Sequence, residues 1–145
     1  MTGIRELPVG QTHLAHAAFA ELRPRYAVDV DRFVARVDTV QRPQGYRLLA
    51  AFDPDDTAAA AVAGFRFIAN LAWGDILYID DLSTRADFRR RGYGAGLLDA
   101  VAAEAGRLGC DAVHLDSGHQ RYDAHRVYLA SGYRITSHHF AHDLH

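Results

Sequence analysis

The chain contains no lysine: all sixteen of its basic residues are arginine. Imine chemistry needs a lysine amine, and the Gly-x-x-x-x-Gly-Lys phosphate loop ends in one, so neither is available here. The single cysteine, Cys110, cannot form an intrachain disulfide, and its place just before an apolar stretch predicts a small buried side chain. No apolar run approaches the ~20 residues that a membrane-crossing helix needs, so no membrane contact is expected and a cytoplasmic location is the default expectation. Nor is there a basic surplus. Sixteen basic against eighteen acidic residues leave a formal charge of −2, which argues against general affinity for nucleic acid.

What is present is an ordinary globular composition, 49% hydrophobic and 23% charged over 145 residues, which predicts one domain spanning 1–145. Residues 2–7 read as a short strand. Leu14, Ala15, Ala18, Phe19 and Leu22 recur at helical spacing within 11–22, and Val30, Phe33, Val34, Val37 and Val40 do so within 28–40. Strands are expected at 46–52 and 58–68, separated by the turn-forming run Asp53-Pro54-Asp55-Asp56, and a third at 76–82 pairs with the second as a hairpin. The clearest helix is 92–108, with Leu97, Leu98, Val101, Ala102, Ala105 and Leu108 on one face and Gly109 as its stop. A strand at 112–115, a short helix near 123–130 and a last strand at 133–143 complete the order β-α-α-β-β-β-α-β-α-β. This is an α/β class fold, one mixed sheet with helices on both faces, in which 76–82 and 112–115 are parallel neighbours joined by a helical crossover.

The richest stretch runs from Asp80-Asp81-Leu82-Ser83-Thr84 through Arg89-Arg90-Arg91-Gly92-Tyr93-Gly94-Ala95 into the long helix. The first turn of a helix offers unpaired N–H groups and the positive end of its dipole, and nearby guanidinium groups add charge. Glycines at 92 and 94 remove side chains that would keep an anion from the backbone. The turn therefore looks suited to a diphosphate. A plain glycine-eased connection with solvated arginines is the simpler alternative. A dinucleotide turn of Gly-x-Gly-x-x-Gly type would require glycine where Leu97 stands.

Arg89-x-x-Gly92-x-Gly94, the hydrophobic spacing of Leu82, Thr84, Phe88, Leu97 and Leu98, and the run Ala124-x-x-x-Tyr128-x-x-x-Gly132-Tyr133 together resemble the Gcn5-related N-acetyltransferase (GNAT) superfamily, and the element order agrees along the whole chain. The resemblance implies a GNAT-like acyl-CoA N-acyltransferase fold. It implies acetyl-CoA as co-substrate, with its pyrophosphate on the backbone of Arg89, Arg90, Arg91, Gly92, Tyr93, Gly94 and Ala95. Its pantetheine arm would lie along Leu82, Ser83 and Thr84, where two parallel strands splay apart. Arg121 stands where relatives often have an asparagine, so that contact is lost or becomes a phosphate contact.

Tyr128 matches the family tyrosine that protonates the departing thiolate in many members, a task that suits a phenol neutral at pH 7. The alternative for Tyr128 is aromatic packing. Asp80 and Asp81 are the leading candidates for the base that an attacking amine needs, since relatives including polyamine acetyltransferases carry an acidic pair at this strand end. Alternation along a strand sends their side chains to opposite faces. Either could instead cap, pair with arginine or hold a substrate ammonium.

Nine histidines invite a metal, above all His138-His139-x-x-His142, but neighbouring residues of a strand face apart and no metal is expected. The function these readings imply is acetyl transfer from acetyl-CoA to a primary amine by direct attack in a ternary complex. A small cationic amine is favoured by Asp75, Asp80 and Asp81. The alternatives are acetylation of a protein amine and a non-catalytic acyl-CoA-binding or sensor domain. A homodimer is compatible with the resemblance, and no residue here marks an interface.

Overall fold

Short runs of alternating and β-branched residues form five strands in the computed structural model, which describes residues 3–145: β1 (Ile4–Glu6), β2 (Arg47–Ala51), β3 (Ala61–Asn70), β4 (Gly74–Thr84) and β5 (Ala112–Leu115). They make one sheet in the order β1-β2-β3-β4-β5, antiparallel except for the parallel pair β4 and β5. The expected hairpin and helical crossover are both formed. The first strand expected at 2–7 is shorter than that, and residue 2 lies outside the described residues.

Two compact units divide the chain, one ending at Leu115 and one running from Asp116 to His145. In the larger unit the long helix α3 (Tyr93–Arg107) is where the apolar spacing puts it. Leu97, Leu98, Val101 and Ala105 are buried, and Gly109 ends it at φ 75°, with the Cys110 amide donating back to the Ala105 carbonyl at 2.9 Å. The first helix differs from expectation. Instead of one helix over 11–22, a 3-10 turn at Thr12–Ala15 leads into the single turn α1 (His16–Phe19). Its apolar positions Ala15, Ala18 and Phe19 are still buried, so the pattern fixed which side faces the core and left the pitch to packing. Helix α2 (Val30–Arg36) starts at Asp29, whose carboxylate accepts from the Arg32 amide at 2.8 Å, and runs on through a π-turn at Val37–Gln41 to a left-handed Gly45.

The two faces of the sheet carry different partners. Tyr46, Leu48, Ala50 and Val62 gather with Phe19, Ala27, Phe33 and Val37 beneath α1 and α2. On the other face α3 covers β2 to β5, and its Glu104 meets Arg47 of β2 at 2.6 Å, Arg47 also reaching Glu6. Both oxygens of the Glu104 carboxylate are therefore occupied, Arg107 taking the second.

The smaller unit contains α4 (Tyr122–Ala130), closed by Gly132 at φ 91°. The last strand expected at 133–143 is not formed; residues 133–145 carry no regular element, and Ile135, Phe140 and Leu144 are exposed. Position 135 has odd parity while 140 and 144 are even, so these side chains cannot share one face at the strand period of two.

Candidate active site

A strand that loses its alternation at one residue can aim neighbouring side chains the same way. Such an irregularity lies in β4: Phe65 is opposite Ile79 and Gly64 is opposite Asp81, leaving Asp80 as the extra residue. Before it, Tyr78 faces Arg66; after it, Asp81 faces Gly64, and Gly64 and Arg66 lie on one face of β3. Asp80 and Asp81 consequently share the α1–α2 face, which corrects the expectation that they point to opposite sides.

Both carboxylates are held. Arg66 clamps Asp80 through two parallel bonds, Nε to Oδ2 at 2.8 Å and Nη2 to Oδ1 at 2.7 Å. The Arg66 guanidinium is held above its ordinary basicity chiefly by that pairing. Asp81 accepts from Arg23 Nε at 2.7 Å and from the Tyr46 phenol at 2.7 Å, while Arg23 Nη2 also donates to the Asp80 carbonyl at 3.0 Å. The Tyr46 hydroxyl is buried, and burial first, then the Asp81 charge, raise its pKa well above the ordinary phenol value. It acts as a fixed donor. Asp75, by contrast, sits at the opposite end of β4, five residues or roughly 17 Å from Asp80 at ~3.3 Å per residue, where its amide donates to Asp111.

The turn that follows β4 has the form of an anion cradle. Arg90 is the one non-glycine residue with positive φ among the described residues, at 63°, and Gly92 follows at 84° as the N-cap of α3, with no side chain capping the helix. Left-handed residues alternating with a residue of negative φ, as Arg90 and Gly92 do about Arg91, aim backbone N–H groups into a concavity, at the end of a helix whose first amides lack intrahelical partners. A Cβ on Gly94 would meet nothing nearer than Thr84 Oγ1 at 4.0 Å, so the chain itself does not demand glycine there. The open space suits a bound group, and the residues present fit the phosphates that the fold implies. Arg89 is drawn to Glu21 at 3.1 Å and Arg91 to Asp53 at 3.7 Å, whereas among the described residues Arg90 is in no ion pair. Tyr93 is anchored inward, its phenol donating to Asp53 at 3.1 Å and its ring edge-on to Phe88. Only its backbone remains for a ligand.

Leu82, Ser83 and Thr84 lie on the far side of the bulge. Their pairing to β3 continues to Thr84, but the pairing of β4 to β5 ends at Ile79 with Leu115. Among the described residues, 80–84 thus have no strand partner on that side, an edge of the kind that can accept the amides of an extended arm.

In the smaller unit Arg121 is the N-cap of α4, and Tyr128 lies on its last turns with its ring 6.1 Å from that of Tyr133. Cys110 is half-buried rather than buried, its thiol pushed up by burial and then by Asp75 and Asp111, which keeps it protonated. No group of three or more His, Cys, Asp or Glu is placed to hold a metal among the described residues.

Arg23, Tyr46, Gly64 and Arg66 were not among the expected site residues. Arg66 carried a signal, a lone charge between Phe65 and Phe67 in an apolar strand, and Gly64 another, a glycine within a strand. Arg23 is 58 residues from the aspartate it binds and gave none.

Comparison with known proteins shows the family and the fold. A family model described as the acetyltransferase (GNAT) family matches residues 12–133. A protein of Bacillus subtilis (strain 168) described as the uncharacterized N-acetyltransferase YhdJ is 34% identical over 127 residues, covering 87% of each chain. Among solved structures, an acetyltransferase of Trypanosoma brucei is 17% identical, with a TM-score of 0.80 over 97% of this chain and 98% of that one. Aminoglycoside N-acetyltransferase AAC(6')-Iy in complex with CoA is 17% identical, with a TM-score of 0.80 over 97% of this chain and 92% of the other.

Proposed function

The chain belongs to the acetyltransferase (GNAT) family of acetyl-CoA-dependent acyltransferases, and on that premise we propose that it moves the acetyl group of acetyl-CoA to a primary amine by direct attack within a ternary complex. The observation that carries this reading is the turn at Arg90 and Gly92, two left-handed residues that aim backbone N–H groups where the N-terminus of α3 begins.

In this reading the backbone from Arg89 to Ala95 and the Arg90 guanidinium hold the linked phosphates. Arg121 is a further phosphate contact. The edge of β4 at Leu82, Ser83 and Thr84 takes the amides of the pantetheine arm, and the backbone near Leu82 polarises the thioester carbonyl. Acetyl-CoA supplies an acetyl group activated as a thioester. Orientation of the amine against that carbonyl provides much of the rate. Because guanidinium and phenol groups occupy the oxygens of Asp80 and Asp81, the proton of the attacking amine leaves through a water held by one of them. Tyr128 returns a proton to the sulfur. Nucleophilic catalysis by Cys110 is disfavoured by its protonated state.

Calorimetry with CoA and release of free thiol from acetyl-CoA across an amine panel test this. Tyr128→Phe is expected to bind CoA like the wild type and to turn over about 100-fold more slowly. Absence of any heat of binding with folded protein would overturn the reading. Binding without turnover of any amine or protein substrate would make the chain an acyl-CoA-binding module.

A further inference from the structure

The face of β4 that the bulge creates is not the acidic surface that two neighbouring aspartates suggest. Two guanidinium groups answer two carboxylates, so the cluster of Arg23, Arg66, Asp80 and Asp81 is neutral overall. Exposure decides what an incoming molecule meets. The side chains of Arg23 and Arg66 are 48% and 30% exposed, against 14% and 22% for Asp81 and Asp80.

The count of donors points the same way. A guanidinium has five N–H donors. Arg66 commits two to the fork on Asp80, and Arg23 commits one to Asp81 and one to the Asp80 carbonyl. Each has three left. The carboxylates, in contrast, have both oxygens engaged. The aspartates thus hold two planar forks in place, and the forks have donors left for a planar anion. One turn on from Arg23, the Tyr26 ring is surrounded by three more guanidiniums, of Arg25, Arg32 and Arg36, at 5.1, 5.8 and 4.3 Å.

From this juxtaposition we propose that the acceptor carries a carboxylate beside its amine, as an amino acid does, and that Arg66 and Arg23 bind that carboxylate while the amine lies toward the free edge of β4 at Leu82. The inference rests on the acetyl-transfer reading above and deepens it, because it replaces a purely cationic acceptor by a zwitterionic one. Fork geometry selects carboxylate over a point anion. A carboxylate here is not repelled by Asp80 and Asp81, since each is already neutralised at contact distance.

The test uses the full chain with CoA bound. Amino acids, their carboxamides and the corresponding decarboxylated amines are titrated calorimetrically into the CoA complex, and the same compounds are assayed for thiol release from acetyl-CoA. The expected result is binding and kcat/KM higher for the carboxylate forms than for the amides by roughly tenfold to a hundredfold, the worth of a charge-assisted pair of bonds. Arg66→Gln should abolish that preference with affinity for CoA unchanged. Arg66→Lys, which keeps the charge on Asp80 and therefore the fold, should retain only part of it. Equal or better turnover of the amides and amines by the wild type, or a preference that survives in both variants, would overturn the proposal while leaving acetyl transfer standing. Carboxylate-selective binding without turnover of any compound would uphold the carboxylate site and remove the transfer reading. Neither binding nor turnover of any compound would remove both.

Discussion

Tyr46 lies across Gly64 so closely that a Cβ on residue 64 would stand 1.7 Å from the phenolic oxygen and 2.2 Å from the ring carbon that bears it. Gly64 is on β3 opposite Asp81, and the phenol it admits is the one that donates to Asp81. A missing side chain on one strand therefore decides where a carboxylate on the next one is held.

Gly64→Ala should displace the tyrosine and destabilise the protein by about 1–3 kcal/mol, the usual range for overpacking. Tyr46→Phe tests the same contact from the other side: it keeps the ring and removes the donor, which should cost about 1–2 kcal/mol. Urea denaturation at pH 7 measures both. Wild-type stability in either variant would mean that the phenol does not support Asp81.

Gly94 separates folding from binding. A methyl group there meets only Thr84 Oγ1, at 4.0 Å. Gly94→Ala should leave stability unchanged or raise it by less than about 1 kcal/mol, since alanine is the better helix former. Affinity for CoA should fall about tenfold or more, because in the proposed site the methyl group would stand where the phosphates approach the backbone. Calorimetry beside a thermal melt reads the two effects independently, and unimpaired binding would place the phosphates elsewhere.

Glu104 gives a pH signature. Arg107 and then Arg47 hold its pKa down to about 2, against an ordinary value of 4.5. A carboxylate held lower in the folded chain than in the unfolded one contributes stability above the unfolded pKa and loses it as pH falls through the folded one. Glu104→Gln should therefore lower the denaturation midpoint at pH 7, and its deficit relative to the wild type should close between pH 4.5 and about 2. The effect is modest because the Arg107 partner is mostly exposed and solvent screens it. A deficit constant down to pH 2 would contradict the assignment.

Much of the scaffold was legible because it follows from period and punctuation. Leu97, Leu98, Val101 and Ala105 mark one side of α3, Gly109 its end, and the distance from Ile76 to Leu115 leaves room only for a crossover helix and hence parallel strands. The turn before α3 was legible for the same reason: glycine at a strand-to-helix junction marks a left-handed position, and Gly92 has φ 84° as the N-cap. Details set by distant partners were hidden. Counting by twos assumes a regular strand, so it placed Asp80 and Asp81 on opposite faces and missed the bulge. The arginine and phenol that hold Asp81 come from segments 58 and 35 residues earlier. Local pattern also made one helix of 11–22, where tertiary packing took a 3-10 turn and a single α turn. It made a strand of 133–143, where three apolar side chains of mixed parity offered no face to bury.

The unmatched residue at Asp80 also shifts the count of alternation for everything downstream. With it, Ser83 points to the side of Val62, and Leu82 and Thr84 point to the side of α3. Delete that one residue and Ile79 and Asp81 would follow each other in unbroken alternation with every later pairing to β3 kept, while Arg66 would lose the carboxylate it clamps. The width of a single amino acid thus sets a second carboxylate beside Asp81 without disturbing the strand that leads to Arg89, and a variant shortened by it should keep its fold and lose the Arg66 clamp alone.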